Sequence, residues 1–263
     1  MTRKSIYSVL SVIVLSILLL FTPLTRMTVN AAGLPPLIVL TCYSKTMAIG
    51  DEYQLTAVSS NWKQPSFKSS KSSIASVNTY GLITAKKAGT CKITAKVKGA
   101  EASCLITVKA TTLSLSTGSL SLYRKGTAKL SAAVSNGHPA VWKSSKSSVA
   151  TVSQNGLVTA IKHGTAKITA TADGVSKTCT VTVKQPKIRL SSTELTLASG
   201  STHQLSAFVS SGNAPEWSTS NQNVLSVDQN GRIRARKKGR AYVYAREDGI
   251  KERCTVTVTD VSE

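Results

Sequence analysis

Residues 141–183 read VWKSSKSSVATVSQNGLVTAIKHGTAKITATADGVSKTCTVTV, and their spacing decides the fold. Apolar residues alternate with Lys and Thr, first at Ala166, Ile168 and Ala170, then at Cys179, Val181 and Val183. A period of two in short runs rich in Thr, Val and Ile predicts half-buried strands. Asp173-Gly174 between the runs is a two-residue hairpin turn of the kind that needs positive φ. It sets Ile168 opposite Cys179 and Ala166 opposite Val181, so both apolar sets share one face. Upstream, Gln154-Asn155-Gly156 signals a second hairpin. A two-residue turn there would set Val152 against Thr159 and break the pattern. A three-residue loop with a left-handed glycine pairs Val152 with Val158 and Ala150 with Ala160, and is the arrangement expected.

The same stretch occurs three times at a fixed spacing of 75 residues. Cys104, Cys179 and Cys254 keep it, as do Gly81, Gly156 and Gly231, Gly89, Gly164 and Gly239, Phe67, Trp142 and Trp217, and Leu55, Leu130 and Leu205. A constant period without insertions means one structural unit copied in series. Turn signals every 8 to 12 residues divide each unit into about seven short strands, which specifies a small β-sandwich. The fold class is therefore all-β: three tandem immunoglobulin-like sandwiches over 37–110, 111–185 and 186–260, with Trp142 and Trp217 expected to plug the cores. Val108-Lys109-Ala110-Thr111 and Val183-Lys184-Gln185-Pro186 pass almost directly from last strand to first, so the joints are short and the array reads as a semi-rigid rod.

Trp142-Lys-Ser-Ser-Lys-Ser-Ser-Val149-Ala-Thr-Val152, Gly156-Leu-Val-Thr-Ala160 and Gly164-Thr-Ala-Lys-Ile168-Thr-Ala170 resemble the group 2 bacterial immunoglobulin-like (BIG2) domain. The third repeat resembles it through Trp217-Ser-Thr-Ser-Asn221, Gly231-Arg-Ile-Arg-Ala235 and Gly239-Arg-Ala-Tyr-Val243, and the first through Ile74-Ala-Ser-Val77, Gly81-Leu-Ile-Thr-Ala85 and Gly89-Thr-Cys91, with Phe67 in place of Trp. The resemblance implies an extracellular module of bacterial and phage surface proteins, including intimin- and invasin-like adhesins, with no shared catalytic residues and no single ligand.

The N-terminal segment lies outside the repeat. Arg3 and Lys4 precede an apolar run from Ile6 to Leu24, followed by Val29-Asn30-Ala31, which predicts a signal peptide over 1–31. An uncleaved anchor is the alternative, and the one route to a membrane. Leu40-Thr41-Cys42 is a poor lipoprotein site, because Thr41 is too large. The chain has 33 Lys and Arg against 12 Asp and Glu, a net +21, and removal of Arg3, Lys4 and Arg26 with the signal leaves +18. The excess runs along all three repeats, as suits a partner that is itself a long polyanion. For a secreted or cell-surface protein that partner is an anionic cell-wall polymer or a host glycan or matrix component; nucleic acid fits the charge but not the compartment. The plain alternative is that lysines keep a Ser/Thr-rich β protein soluble.

Nothing in the sequence points to an enzyme, a metal or a cofactor. His138, His163 and His203 stand in different repeats, and His163 reads as a solvated loop residue. Glu247-Asp248 and Asp51-Glu52 are isolated acidic pairs without the clustered oxygen ligands that calcium needs. The distinctive surface residues are cationic and aromatic. Arg232, Arg234 and Arg236 alternate with Ile233 and Ala235 and should line one strand face, with Lys237, Lys238 and Arg240 continuing the charge around the turn. Guanidinium forks suit phosphate and sulfate, so this is a candidate anion-binding platform; the alternative is an edge strand protected by charge. Tyr242 and Tyr244 should point outward, with Tyr244 across from Arg253. Trp62 falls where the other repeats have Gly137 and Gly212, and Tyr80 where they have Asn155 and Asn230. Loop aromatics that stack on sugar rings would make the protein a carbohydrate-binding module; alternatively Trp62 folds back over the end of its repeat. Of the five cysteines, three are the periodic, strand-buried ones. The bridge considered, Cys91 with Cys104, pairs diagonal neighbours roughly 7 Å apart, too far for a disulfide. The chain is therefore expected to fold without an intramolecular bridge and to titrate five thiols, unless Cys42 crosslinks two chains.

Overall fold

The computed structural model describes residues 35–260, and among these there is no helix. The segment expected to be a signal peptide or anchor lies outside the described residues. Repeat 1 consists of β1 (Ile38–Leu40), β2 (Ser44–Met47), β3 (Glu52–Gln54), β4 (Ala57–Ser59), β5 (Ser66–Ser69), β6 (Ala75–Val77), β7 (Leu82–Ala85), β8 (Gly89–Val97) and β9 (Ala100–Val108). The same nine strands recur 75 residues on, as β10–β18 between Leu113 and Val183, and again as β19–β27 between Ile188 and Thr259. Nine short strands stand where seven are expected because the chain changes sheet early in the unit. β1 pairs antiparallel with β4, and after a bend β2 pairs in parallel with β9.

Each unit has a four-stranded sheet, β2-β9-β8-β5 in repeat 1, facing a three-stranded sheet, β3-β7-β6, with the β1-β4 ribbon beside them. The hairpin registers are those the turns dictate. Between β17 (Gly164–Ala172) and β18 (Val175–Val183), Ile168 faces Cys179 and Ala166 faces Val181. Between β15 (Ala150–Val152) and β16 (Leu157–Ala160), Val152 faces Val158 and Ala150 faces Ala160. Asp173 and Gly174 have φ of 48° and 81°, and Asp248 and Gly249 have 46° and 82°. In the corresponding turn of repeat 1 the left-handed residue is Gly99 alone. A lysine side chain offers the turn backbone no acceptor oxygen, whereas Asp tolerates the left-handed region.

The alternation buries Ile93, Cys104 and Ile106 in repeat 1, Ile168, Cys179 and Val181 in repeat 2, and Val243, Cys254 and Val256 in repeat 3. Trp142 and Trp217 are half-buried rather than fully enclosed, because each spans two neighbouring apolar clusters of its repeat. The ring of Trp142 lies over Gly156, whose φ is 80°. A Cβ there would collide with the Leu130 carbonyl and come within 3.2 Å of the indole. Glycine is thus required at this turn by both conformation and contact, which accounts for its recurrence at 81 and 231.

Candidate ligand-binding surfaces

Arg232 and Arg234 lie on β25 (Arg232–Ala235), outward of buried Ile233 and Ala235. β25 is the middle strand of its sheet, between β21 (Thr202–Gln204) and β24 (Leu225–Val227). The edge-protection reading is therefore overturned: both sides of β25 are paired, and no edge needs guarding. A shallow hollow beside the two arginines is lined by Thr202, Ser226 and Asp228. Arg236 follows the strand, and its guanidinium reaches the Gln222 carbonyl at 3.4 Å. The expected continuation of charge breaks up. Lys238 is bound to Asp260 at 2.6 Å, which raises its pKa. Arg240 lies on β26 (Gly239–Glu247), in the opposite sheet of the sandwich, so it faces away from Arg232 and Arg234. Lys237 remains exposed beside Arg236. Among the ion pairs of the described residues none involves Arg232, Arg234 or Arg236.

Tyr242 and Tyr244 are half-buried rather than free, because cations cover their rings. Tyr244 is opposite Arg253 in register, as expected, but the Arg253 guanidinium sits over Tyr242 at 4.8 Å. Lys251 covers Tyr244 at 4.6 Å. These cation–π contacts occupy the ring faces a ligand would use.

Trp62 does not fold back over its repeat. It is 92% exposed, and its φ is 59°, in the left-handed region that Gly137 (77°) and Gly212 (74°) occupy in the other repeats. A bulky residue there is a backbone outlier that costs energy. Tyr80 is 74% exposed on the turn of the Gly81 hairpin. In repeat 2 the two equivalent positions, Gly137 and Asn155, line one hollow together with Pro139 and Trp142. The repeat places Trp62 and Tyr80 at the corresponding two points of repeat 1.

The joints hold polar groups that the sequence reading passed over. Arg124 of repeat 2 pairs with Glu247 of repeat 3 at 2.9 Å, and the Glu247 side chain is fully enclosed. Asn213 donates to the same carboxylate at 3.1 Å and to the Arg124 carbonyl at 3.0 Å. The Glu247 hydrogen bond, together with nearby negative charge, raises the Arg124 pKa. Asp248 accepts from the His163 amide at 2.8 Å and lies 3.3 Å from its Nδ1. His163 is thus a joint residue, half-buried rather than a free loop side chain, and Glu247-Asp248 is a docking pair. A signal was present: Glu247 falls in the buried register after Ala241, Val243 and Ala245, where repeats 1 and 2 have Val97 and Ala172. At the other joint, Asn136 of repeat 2 donates to the Ile49 carbonyl of repeat 1 at 3.4 Å, and the His138 ring packs on Gly50. Asp173 gathers Thr111, Asn136 and His138 around it. Burial pushes its carboxyl pKa up, but those three hydrogen bonds pull it further down, below the usual range.

All five cysteines are free thiols. The Cys91–Ile106 and Ile93–Cys104 register is as expected, but the cysteine brought up to Cys104 is Cys42, from outside that hairpin. Its Sγ lies 3.2 Å from Cys104 Sγ. Among the described residues no group of His, Cys, Asp and Glu is arranged to hold a metal ion.

Comparison with known proteins fits this architecture. The chain is 40% identical over 132 residues to an uncharacterised protein of Clostridium acetobutylicum, covering 46% of this chain and 14% of that one. It therefore spans only a small part of the length of that curated relative. The tandem I9–I11 domains of titin superpose with a TM-score of 0.52 at 13% identity, over 85% of this chain and all of the titin fragment, which is a likeness of fold alone. Domains 1–6 of the surface-layer protein SbsC align at 17% identity with a TM-score of 0.27, over 88% of this chain and 41% of that one. The profile of the bacterial Ig-like domain (group 2) family matches residues 105–183 and 185–258, more than half of the sequence. With its registers, turn glycines and core in place, the chain belongs to the bacterial Ig-like domain (group 2) family.

Proposed function

We propose that this chain is a non-catalytic attachment rod at the bacterial surface, holding an anionic cell-wall polymer or host glycan through its exposed cations. The observation that carries the reading is the outward face of β25, where Arg232 and Arg234 stand side by side without an acidic side-chain partner. Alternate residues on a strand are roughly 7 Å apart, so neighbouring phosphates or sulfates engage both at once. Polar locks at the joints support a rod that presents such faces at fixed distances. A second reading, specific glycan recognition, is favoured by one observation: Trp62 keeps a glycine's backbone conformation while fully presenting its indole.

One binding experiment separates them. Affinity for purified teichoic acid and heparin is measured at low and near-physiological salt, alongside a glycan array at high salt. Charge-driven attachment falls steeply with salt, and replacing Arg232, Arg234 and Arg236 by Ser weakens it more than replacing Lys92, Lys96 and Lys167. Equal losses would mean diffuse charge without a site, and absence of binding to either polymer would reduce the rod to a spacer. Glycan recognition instead survives salt and is lost in Trp62→Gly, a change that relieves the left-handed strain and leaves stability intact or raised by about 1 kcal/mol.

A further inference from the structure

Cys42 belongs to repeat 1 alone. The equivalent positions carry Thr117 and Ser192, whose hydroxyls donate to the carbonyls two residues on, Ser119 and Glu194. Cys42 keeps that turn, with its Sγ toward the Ser44 carbonyl at 3.4 Å. The hydroxyl-to-thiol exchange thus leaves the backbone as it is and places a second sulfur against the periodic one. Cys104 is fully buried and Cys42 is half-exposed, so the pair has a dry member and a reachable member. Repeats 2 and 3 bury Cys179 and Cys254 with no second cysteine in their own sequence.

We propose that Cys42 and Cys104 are a disulfide-forming pair that staples the start of repeat 1 to its last strand. Closing the sulfurs from 3.2 Å to a bond of about 2.05 Å asks for roughly 1 Å of movement, within the reach of side-chain rotation. The oxidant is another disulfide, R–S–S–R. The Cys42 thiolate attacks one of its sulfurs, forming a mixed disulfide and releasing RS⁻. The Cys104 thiolate then attacks the Cys42 sulfur, forming the Cys42–Cys104 bond and releasing the second RS⁻. Two protein thiols are oxidised, one disulfide is reduced, and the two protons lost by the cysteines go to the two released thiolates. Burial, together with the hydrogen bond to Cys42, pushes the Cys104 thiol up to about 12. Burial thus disfavours the Cys104 thiolate, and the half-exposed Cys42 is the cysteine that meets the oxidant first.

The staple has a mechanical meaning in a rod. Tension entering repeat 1 at its first strands and leaving through β9 would otherwise act on the parallel β2–β9 pairing. A covalent bond between 42 and 104 carries that load directly and shields the chain between them.

The test uses the full chain and oxidised glutathione at mildly alkaline pH, followed by thiol counting on the denatured protein and peptide mapping. The proposal expects five thiols to fall to three, with Cys42 and Cys104 in one linked peptide pair and the protein still monomeric. Five remaining thiols, Cys42 held only as a glutathione adduct, or a Cys42-linked dimer would each overturn it. Cys42→Ser, which installs the residue type of position 192, folds normally and keeps all four remaining thiols. In single-molecule stretching, oxidation shortens the extension released by one repeat by roughly 200 Å, from the 62-residue separation at about 3.4 Å per residue. Equal extensions before and after a verified oxidation would overturn the load-bearing role.

Discussion

The two joints of the rod are built at equivalent positions with different chemistry. Between repeats 2 and 3 an enclosed carboxylate, Glu247, meets Arg124 and Asn213, and Asp248 meets His163. Between repeats 1 and 2 the positions of Arg124 and Glu247 are held by Ile49 and Ala172, and the units meet through one 3.4 Å hydrogen bond and the packing of His138 on Gly50. Charge-assisted bonds are shorter and stronger than neutral ones, yet a buried pair must also offset its desolvation. The contrast teaches that the upper joint, between repeats 2 and 3, is specified by charge and hydrogen bonds, whereas the lower joint, between repeats 1 and 2, rests mainly on packing. It also shows how a repeated unit acquires individual contacts without altering its strands.

Removing one side of the buried pair should have the largest effect. Arg124→Ala strands the Glu247 carboxylate, at a cost on the order of 3 kcal/mol, read by calorimetry as earlier unfolding of repeat 3 and loss of its coupling to repeat 2. The double variant Arg124→Ile with Glu247→Ala, which copies the lower joint, should recover most of that loss. An unchanged unfolding profile for Arg124→Ala would show that the pair does not hold the joint. The lower joint is probed by Gly50→Ala. The φ of 88° penalises any side chain, and the new Cβ would lie 2.7 Å from His138 Cε1. A loss of about 1–2 kcal/mol in repeat 1 is expected, part of which disappears when His138→Ala is added. Strict additivity of the two changes would mean that the ring and the glycine do not touch. The smallest effect is acidic. The Asp173 carboxyl pKa is lowered in the folded state, so its contribution is present above the unfolded value of about 3.9 and is lost as pH falls through the lower folded value. Acid titration of stability should steepen below about pH 4 in the wild type and flatten there in Asp173→Asn, with Glu247 and Arg124 untouched.

The strand registers were legible because they follow from turn chemistry within a few residues of the paired positions. Asp173-Gly174 and Gly156 leave one self-consistent alignment each, and the alternation confirms it. What the sequence hid lies between distant segments. Arg124 and Glu247 are 123 residues apart, and nothing local says which loops meet at a joint. Only the misplaced polarity of Glu247 in an apolar register marks it. The nearness of Cys42 to Cys104 is hidden because a seven-strand unit does not separate β1 from β2, and it is the parallel return of β2 along β9 that brings residue 42 beside 104. Arg232 and Arg234 were placed on one face by alternation alone, whereas Arg240 lies across a turn that changes sheet, a step no local period records. The unusual backbone at Trp62 was visible only by comparison with the glycines at 137 and 212.

The periodic cysteine gives each repeat its own reporter. Cys179 and Cys254 are fully buried, and burial, aided by the Glu194 charge, pushes Cys254 up to about 11. A thiol reagent in native buffer therefore reacts with them only when their repeat opens. Mapping the modified peptides over time assigns an opening free energy to repeats 2 and 3 separately, within one intact and unlabelled chain.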